Sequence, residues 1–248
     1  MIEDRSIAAS VDLGAEAAAG APGAAAAGRT RWFVLGALCL LLLVLPLGRS
    51  VIGPYNYVLQ LLTITLMWIA MTSSWNIIGG FASYISLGHG VFMGIGGYTS
   101  GLLLVHYGLS PFLTAVLGGL AAVAVGALAG LITLRTRGPA FIITTIALLL
   151  MFRLWFDNWE VLGGSNGLTL PLPPFSVDWL RAPFYYAMLL TAAGAVYLSY
   201  RVAHSKFGLG LRAIAQDETK AEVSGVPTRM YKVLAFALSA FFVGVAGA

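Results

Sequence analysis

The chain has 248 residues, of which 59% are hydrophobic and 10% charged, and its mean hydropathy is +0.87. Soluble domains carry about 25% charged residues, so this composition excludes a water-soluble globule and suits a chain held in a bilayer. The net charge of +4 comes from basic residues in short loops, which is not the footprint of a nucleic-acid-binding face. Cys39 is the single cysteine, so no disulfide forms within the chain, and His89, His106 and His204 lack metal-ligand spacing.

Residues 1–30 are rich in Ala and Gly with scattered acids. They hold too little apolar bulk for a core and are expected to form a disordered cytoplasmic tail. Acids precede the first hydrophobic segment and no cleavage pattern follows it, which argues against a signal peptide. Residues 31–248 read as one transmembrane domain, an all-α polytopic bundle with its N-terminus in the cytoplasm. Its segments fall near 32–48, 55–78, 87–107, 111–134, 139–157, 183–202 and 231–248, each close to the roughly 20 residues that cross a bilayer. The last runs to Ala248 without a stop signal, which predicts a further helix beyond it.

Lys and Arg set the orientation. A cytoplasmic N-terminus puts Arg5, Arg29, Arg31, Arg135, Arg137, Arg201, Lys206, Arg212, Lys220, Arg229 and Lys232 inside. Only Arg49, Arg153 and Arg181 remain outside, an asymmetry of the kind that positive-inside topology produces.

Two loops stand out. The outer one, about 158–182, reads NWEVLGGSNGLTLPLPPFSVDWL, with Gly, Asn and Pro to stop helix and Trp suited to a membrane–water interface. The inner one, 203–230, predicts two short helices. A first covers Leu209 to Ala215. Asp217 caps a second from Glu218 to Ser224, which Gly225 ends in a left-handed conformation ahead of Pro227. Such a hairpin is either a solvated loop or a docking element for a soluble partner.

The stretch YISLGHGVFMGIGGYTS, Tyr84 to Ser100, lays backbone bare at membrane depth. With helix from about Ser86, the residues Ser86, Gly90, Gly94, Gly97 and Gly101 share one face. Such a stripe lets another backbone approach, so Gly90, Gly94, Gly97 and Gly101 are expected to be helix-packing positions. The preceding glycines surround Asn76, Ser83, Ser86 and His89. Irregular polar backbone at this depth is tolerated only where it is buried in protein or lines a wet cavity, and broken helices of this kind hold substrate in many transporters. His89 is thus either a hydrogen-bonded packing residue or part of a pathway.

Four blocks, WNIIGGFASYISLGHGVFMGIGGYTSGLL, LRTRGPAFIITTIAL, LGGSNGLTLP and FGLGLRAIAQDETKAEVSGVPTRMYKVLAFALSAFFVGVAGA, resemble the branched-chain amino acid ABC transporter permease family of the LivM type. The resemblance runs from about Leu59 to the last residue in the same order and spacing, while the Ala-rich tail and the missing C-terminal helices depart from the family. It implies an importer assembled from this permease, a second LivH-like permease subunit in a heterodimer, two cytoplasmic ATP-binding subunits and a periplasmic substrate-binding protein, in the bacterial inner membrane. The inner hairpin then corresponds to the ATPase-coupling loop, with Arg212, Asp217, Glu218, Ala221, Glu222 and Gly225 as its coupling residues.

The chain shows no phosphate-binding glycine loop, no paired carboxylates at membrane depth and no nucleophile beside a base, so it is expected not to be an enzyme and to bind no metal or cofactor itself. ATP would be used by the partner subunits. Asn76, Ser86, Gly88, His89, Thr144 and Thr145 are the expected substrate-pathway residues. The substrate is read as Leu, Ile or Val. Urea or short amides through the same architecture, and an ion-coupled secondary transporter, are the competing readings. Intramembrane acids would favour the last, but Asp157 and Glu160 lie only at an outer boundary.

Overall fold

The structure, a computed structural model, describes residues 40–47, 55–136, 138–164, 167–169 and 181–248. The N-terminal tail, most of the first expected segment and much of the outer loop lie outside the described residues. Contacts divide the chain into Met1–Tyr55 and Asn56–Ala248. In the first unit residues 40–44 are helical and lead into a 3-10 turn, Leu45–Leu47, and the Tyr55 hydroxyl donates to the Pro46 carbonyl at 2.7 Å.

The rest is helical: α1 (Tyr55–Gly79), α2 (His89–Tyr107), α3 (Pro111–Thr133), α4 (Pro139–Asn158), α5 (Arg181–Ala203), the short α6 (Lys206–Gln216) and α7 (Glu218–Val223), and α8 (Thr228–Gly247). Among the described residues there is no strand. Proline in the first turn starts α3 and α4, where its missing N–H leaves no bond unmade. Gly108 at φ +62° closes α2 with its N–H on the Leu104 carbonyl.

Helices α1, α3, α4, α5 and α8 are each long and apolar enough to cross a membrane. The glycine- and hydroxyl-bearing α2 falls short of that apolarity and packs along α3 and α8. A helix enclosed by others needs close contact more than oiliness, since lipid tails are as apolar as leucine. Where α2, α3 and α8 meet, three backbones touch. A Cβ at Gly96 would fall on the Gly244 carbonyl, and one at Gly118 would lie 2.6 Å from the Gly96 carbonyl. Phe92, Ala122, Phe236, Ala240 and Val243 fill the space around this contact and are fully buried. The Ser100 hydroxyl donates to Thr114 Oγ1 at 2.8 Å, a polar tie between α2 and α3.

The stripe divides between neighbours. The helix begins at His89, not Ser86, and the partner changes along its length. Gly90 and Gly94 face Leu149 and Phe156 of α4, Gly97 faces the backbone of Gly247 in α8, and Gly101 is buried. Gly96, absent from the expected stripe, makes the closest approach.

This geometry separates the glycines by consequence. Gly96→Ala pushes a methyl into backbone that cannot rotate away, so its cost should exceed the about 1–3 kcal/mol of ordinary overpacking. Gly94→Ala meets only the edge of the Phe156 ring at 3.3 Å and should keep the fold. Thermal stability and monodispersity in detergent read the difference. Equal stability of the two variants would mean that the three-backbone contact does not organise the bundle.

Candidate functional site

Between α1 and α2 the helix is interrupted, and the backbone of the interruption finds its partners locally and in α4. The Asn76 carbonyl accepts from the amides of Gly80 and Phe81, and the Tyr84 amide donates to the Ile78 carbonyl at 3.2 Å. Trp75 Nε1 donates to the Ser86 carbonyl at 2.8 Å, and the Leu87 amide donates to Thr145 Oγ1 of α4 at 3.3 Å. Gly88 lies so close to α4 that a Cβ there would stand 2.9 Å from the Thr145 carbonyl. Irregular backbone survives here because neighbouring helices supply its partners.

His89 closes this knot. The Ser239 hydroxyl donates to the Phe236 carbonyl at 2.8 Å, so its oxygen accepts the His89 Nε2 proton at 3.1 Å. Nδ1 lies 3.1 Å from the Ser86 hydroxyl, so both ring nitrogens are engaged. The rings of Phe92 and Phe236 meet it edge-on at 5.5 and 5.7 Å.

One turn before, a charge is buried. The Lys232 ammonium is 2.7 Å from Glu218 Oε1 and donates to the Tyr84 hydroxyl and the Leu134 carbonyl, each at 3.2 Å. The Tyr84 hydroxyl donates in turn to Glu218 Oε2 at 2.5 Å. Lys232 is 2% exposed. This cluster joins the break, the end of α3, the hairpin and α8 at one point.

The hairpin has the two expected helices, the first beginning at Lys206 and not at Leu209. The Asp217 carboxylate accepts from the Lys220 amide at 3.1 Å and caps α7, Ser205 caps α6 through the Gly208 amide, and Gly225 has φ +86°. That amide, with the Lys220 ammonium at 3.4 Å, holds the Asp217 carboxyl below the usual carboxylate range. Ala221 is buried, whereas Arg212 and Glu222 stay exposed, the Arg212 guanidinium 5.6 Å above the Phe81 ring.

Of the expected pathway residues, Ser86, Gly88, His89 and Thr145 come together in the knot, and they are sealed there. Asn76 instead faces α5, its amide 3.5 Å from Ser199 Oγ, and the Thr144 hydroxyl turns back to the Ala140 carbonyl. Glu218, expected among the hairpin's coupling residues, points inward to Lys232. Tyr84, Lys232 and Ser239 are members of these buried polar clusters that sequence reasoning passed over. The available signal was Lys232 itself, an ionisable residue one turn into an apolar helix.

On the other side of α2 lies a groove of about 230 Å3 against α4. It is walled by Val91, Tyr98, Leu149, Phe152 and Phe156, floored by Gly90 and Gly94, and ends at Arg153 and Asp157.

The architecture is a polytopic helical bundle, interrupted between α1 and α2, with a capped hairpin tied to its core. Residues 57–248 match the family described as branched-chain amino acid transport system / permease component, and the chain belongs to that family. Among curated relatives, the high-affinity branched-chain amino acid transport system permease protein LivM of Escherichia coli (strain K12) is 29% identical over 212 residues, covering 75% of this chain and 50% of the relative. The protein of the same name from Salmonella typhimurium (strain LT2) gives the same identity and coverage. The chain thus spans about half the length of these relatives. No solved structure matches.

Two outcomes follow from the charges. Lys232→Met strands the Glu218 carboxylate and should destabilise the protein by about 3–5 kcal/mol, while adding Glu218→Leu should return much of that loss, because a paired removal leaves no uncompensated charge. Additive losses in a thermal-shift cycle would show that the two groups do not interact. Asp217 has a depressed pKa in the folded state, so its stabilisation of α7 is present above the ordinary carboxylate range and is lost as pH falls through that range and below it. The protection factor of the Lys220 amide, its exchange rate measured against the unstructured rate at the same pH, should therefore fall in acid, and Asp217→Asn, which still caps, should remove that pH dependence.

Proposed function

We propose that this chain is the membrane-spanning permease subunit of an ATP-driven importer, translocating branched-chain amino acids across the bacterial inner membrane. It makes and breaks no bond. Two cytoplasmic ATP-binding subunits supply the energy, a second permease subunit completes the membrane core, and a periplasmic binding protein delivers the substrate. The family carries the amino-acid part of this reading.

The hairpin is the observation that carries the ATP-driven part. It is capped at both helix starts, and its outward side exposes Leu209, Arg212, Glu222 and Val223, the last 85% accessible. An exposed apolar side chain outside the membrane span, flanked by charge, suits a soluble protein partner. The inward side is clamped by Lys232. The basic residues Arg135, Arg201, Lys206, Arg212, Lys220 and Arg229 lie at this same end of the helices, and Arg153 and Arg181 at the other, an asymmetry that supports a cytoplasmic hairpin. When ATP binding draws the partner subunits together, a push on the hairpin reaches α8, the end of α3 and the α1–α2 break as one displacement. The pathway then opens to one side of the membrane at a time.

Gly225 tests this. A Cβ there meets nothing within 4 Å, so Gly225→Val acts through its positive φ and not through a clash. In the full-length permease the variant should leave the membrane helices folded yet lose the ATP-binding subunit on purification, or hydrolyse ATP without uptake. Unchanged association together with unchanged uptake in vesicles would return the hairpin to an ordinary solvated loop.

A further inference from the structure

We infer that the groove between α2 and α4 is a substrate site that takes the zwitterion of one branched aliphatic amino acid, with Arg153 receiving the carboxylate, Asp157 the ammonium, and the walls the side chain. This inference rests on the permease reading above and adds to it where the substrate sits.

The groove exists because two glycines make room for it. Methyl groups at Gly90 and Gly94 would come within 3.3 Å of Leu149 and Phe156 and would fill the floor. At about 230 Å3 it is smaller than the roughly 300–1,000 Å3 of pockets for drug-sized ligands, as suits a single small molecule. Its walls are aliphatic and aromatic, and Phe156 is held in place by Tyr98 on one side at 4.6 Å and by Trp155 at 5.6 Å. Such walls accept a branched hydrocarbon and reject a charged side chain, which would be stripped of water without a partner.

The charges sit at one end only. Arg153 Nε and Asp157 Oδ2 are 3.9 Å apart, one helical turn from each other, with side chains 76% and 51% exposed. A pair so loose and so wet contributes little to stability and separates readily. A zwitterion offers each charge its complement at once, and a carboxylate can meet a guanidinium through two parallel bonds. This end of α4 lies opposite the hairpin, the face from which an importer receives its substrate. The sealed cluster of Ser86, His89 and Thr145 has both imidazole nitrogens and the Thr145 hydroxyl already engaged, so the groove is the better host.

The experiment uses the full-length permease assembled with its partners in membrane vesicles, in a background whose reactive cysteines, Cys39 among them, are replaced by alanine. Leu149→Cys and, separately, Tyr98→Cys, which shorten wall side chains and leave the glycine floor open, are reacted with a small thiol reagent. L-leucine, L-isoleucine and L-valine should slow the reaction, whereas L-glutamate, L-lysine and acetamide should not. Adding Asp157→Asn should raise the leucine concentration needed for half-protection by at least about tenfold. In the otherwise unmodified transporter the same substitution should raise KM for leucine uptake with little change in maximal rate. Vesicles that import leucine while both cysteines react at unprotected rates would overturn the site and leave the permease reading standing. Protection by acetamide in place of leucine would overturn the zwitterion assignment. Failure of the complete transporter to import any branched amino acid would overturn the permease reading, and this inference with it.

Discussion

The ammonium of Lys232 is almost wholly withdrawn from water, and that constraint organises the hairpin end of the molecule. An unpaired charge in such a place costs several kcal/mol, and the cost is offset only when good geometry and extra hydrogen bonds surround the pair. The partners come from separate parts of the chain: Glu218 from the hairpin, the Tyr84 hydroxyl from the helix break, and the Leu134 carbonyl from the end of α3. None of these can shift far without exposing the deficit of another. A loop that would otherwise swing freely becomes part of the wall of the bundle.

The same rule, that every buried polar group finds a partner, explains the knot above it. His89 bridges α8 to the start of α2 through two serine hydroxyls, and Thr145 satisfies the Leu87 amide from α4. The glycine contact among α2, α3 and α8 then brings those helices close enough for such short side chains to reach. Helix α4 stands apart from this tight trio. It buries little of its own surface and leaves the groove along α2. A tightly packed trio clamped to the hairpin thus stands beside a more loosely attached helix, with the groove between α2 and α4.

Much of this was legible along the chain. Hydropathy and length located the helices, since a bilayer demands apolar runs of a given reach whatever their neighbours are. The caps of the hairpin were legible too, because Asp217 and Gly225 act on backbone within a few residues of themselves. The roles of individual glycines were not. Helical periodicity grouped Gly90, Gly94 and Gly97 on one face, but which helix lies opposite changes along that face, and Gly96 lay off the expected stripe altogether. Glu218 read as a surface charge in a charged loop, and only the partner 14 residues onward turned it inward.

What the sequence determined by itself is therefore local or set by the solvent: an all-helical membrane chain, the five long apolar helices, the break after Gly79 and the capped hairpin. Capping is settled within one turn of chain, and the hydrophobic effect acts on each segment against the same lipid. Tertiary structure alone decided that Tyr84, Leu134, Glu218 and Lys232 converge, that His89 is enclosed by Ser86 and Ser239, and that Arg153 and Asp157 close one end of a groove floored by glycine. Those arrangements depend on pairings up to 150 residues apart, and helical spacing along one segment carries no information about which distant segment will lie against it.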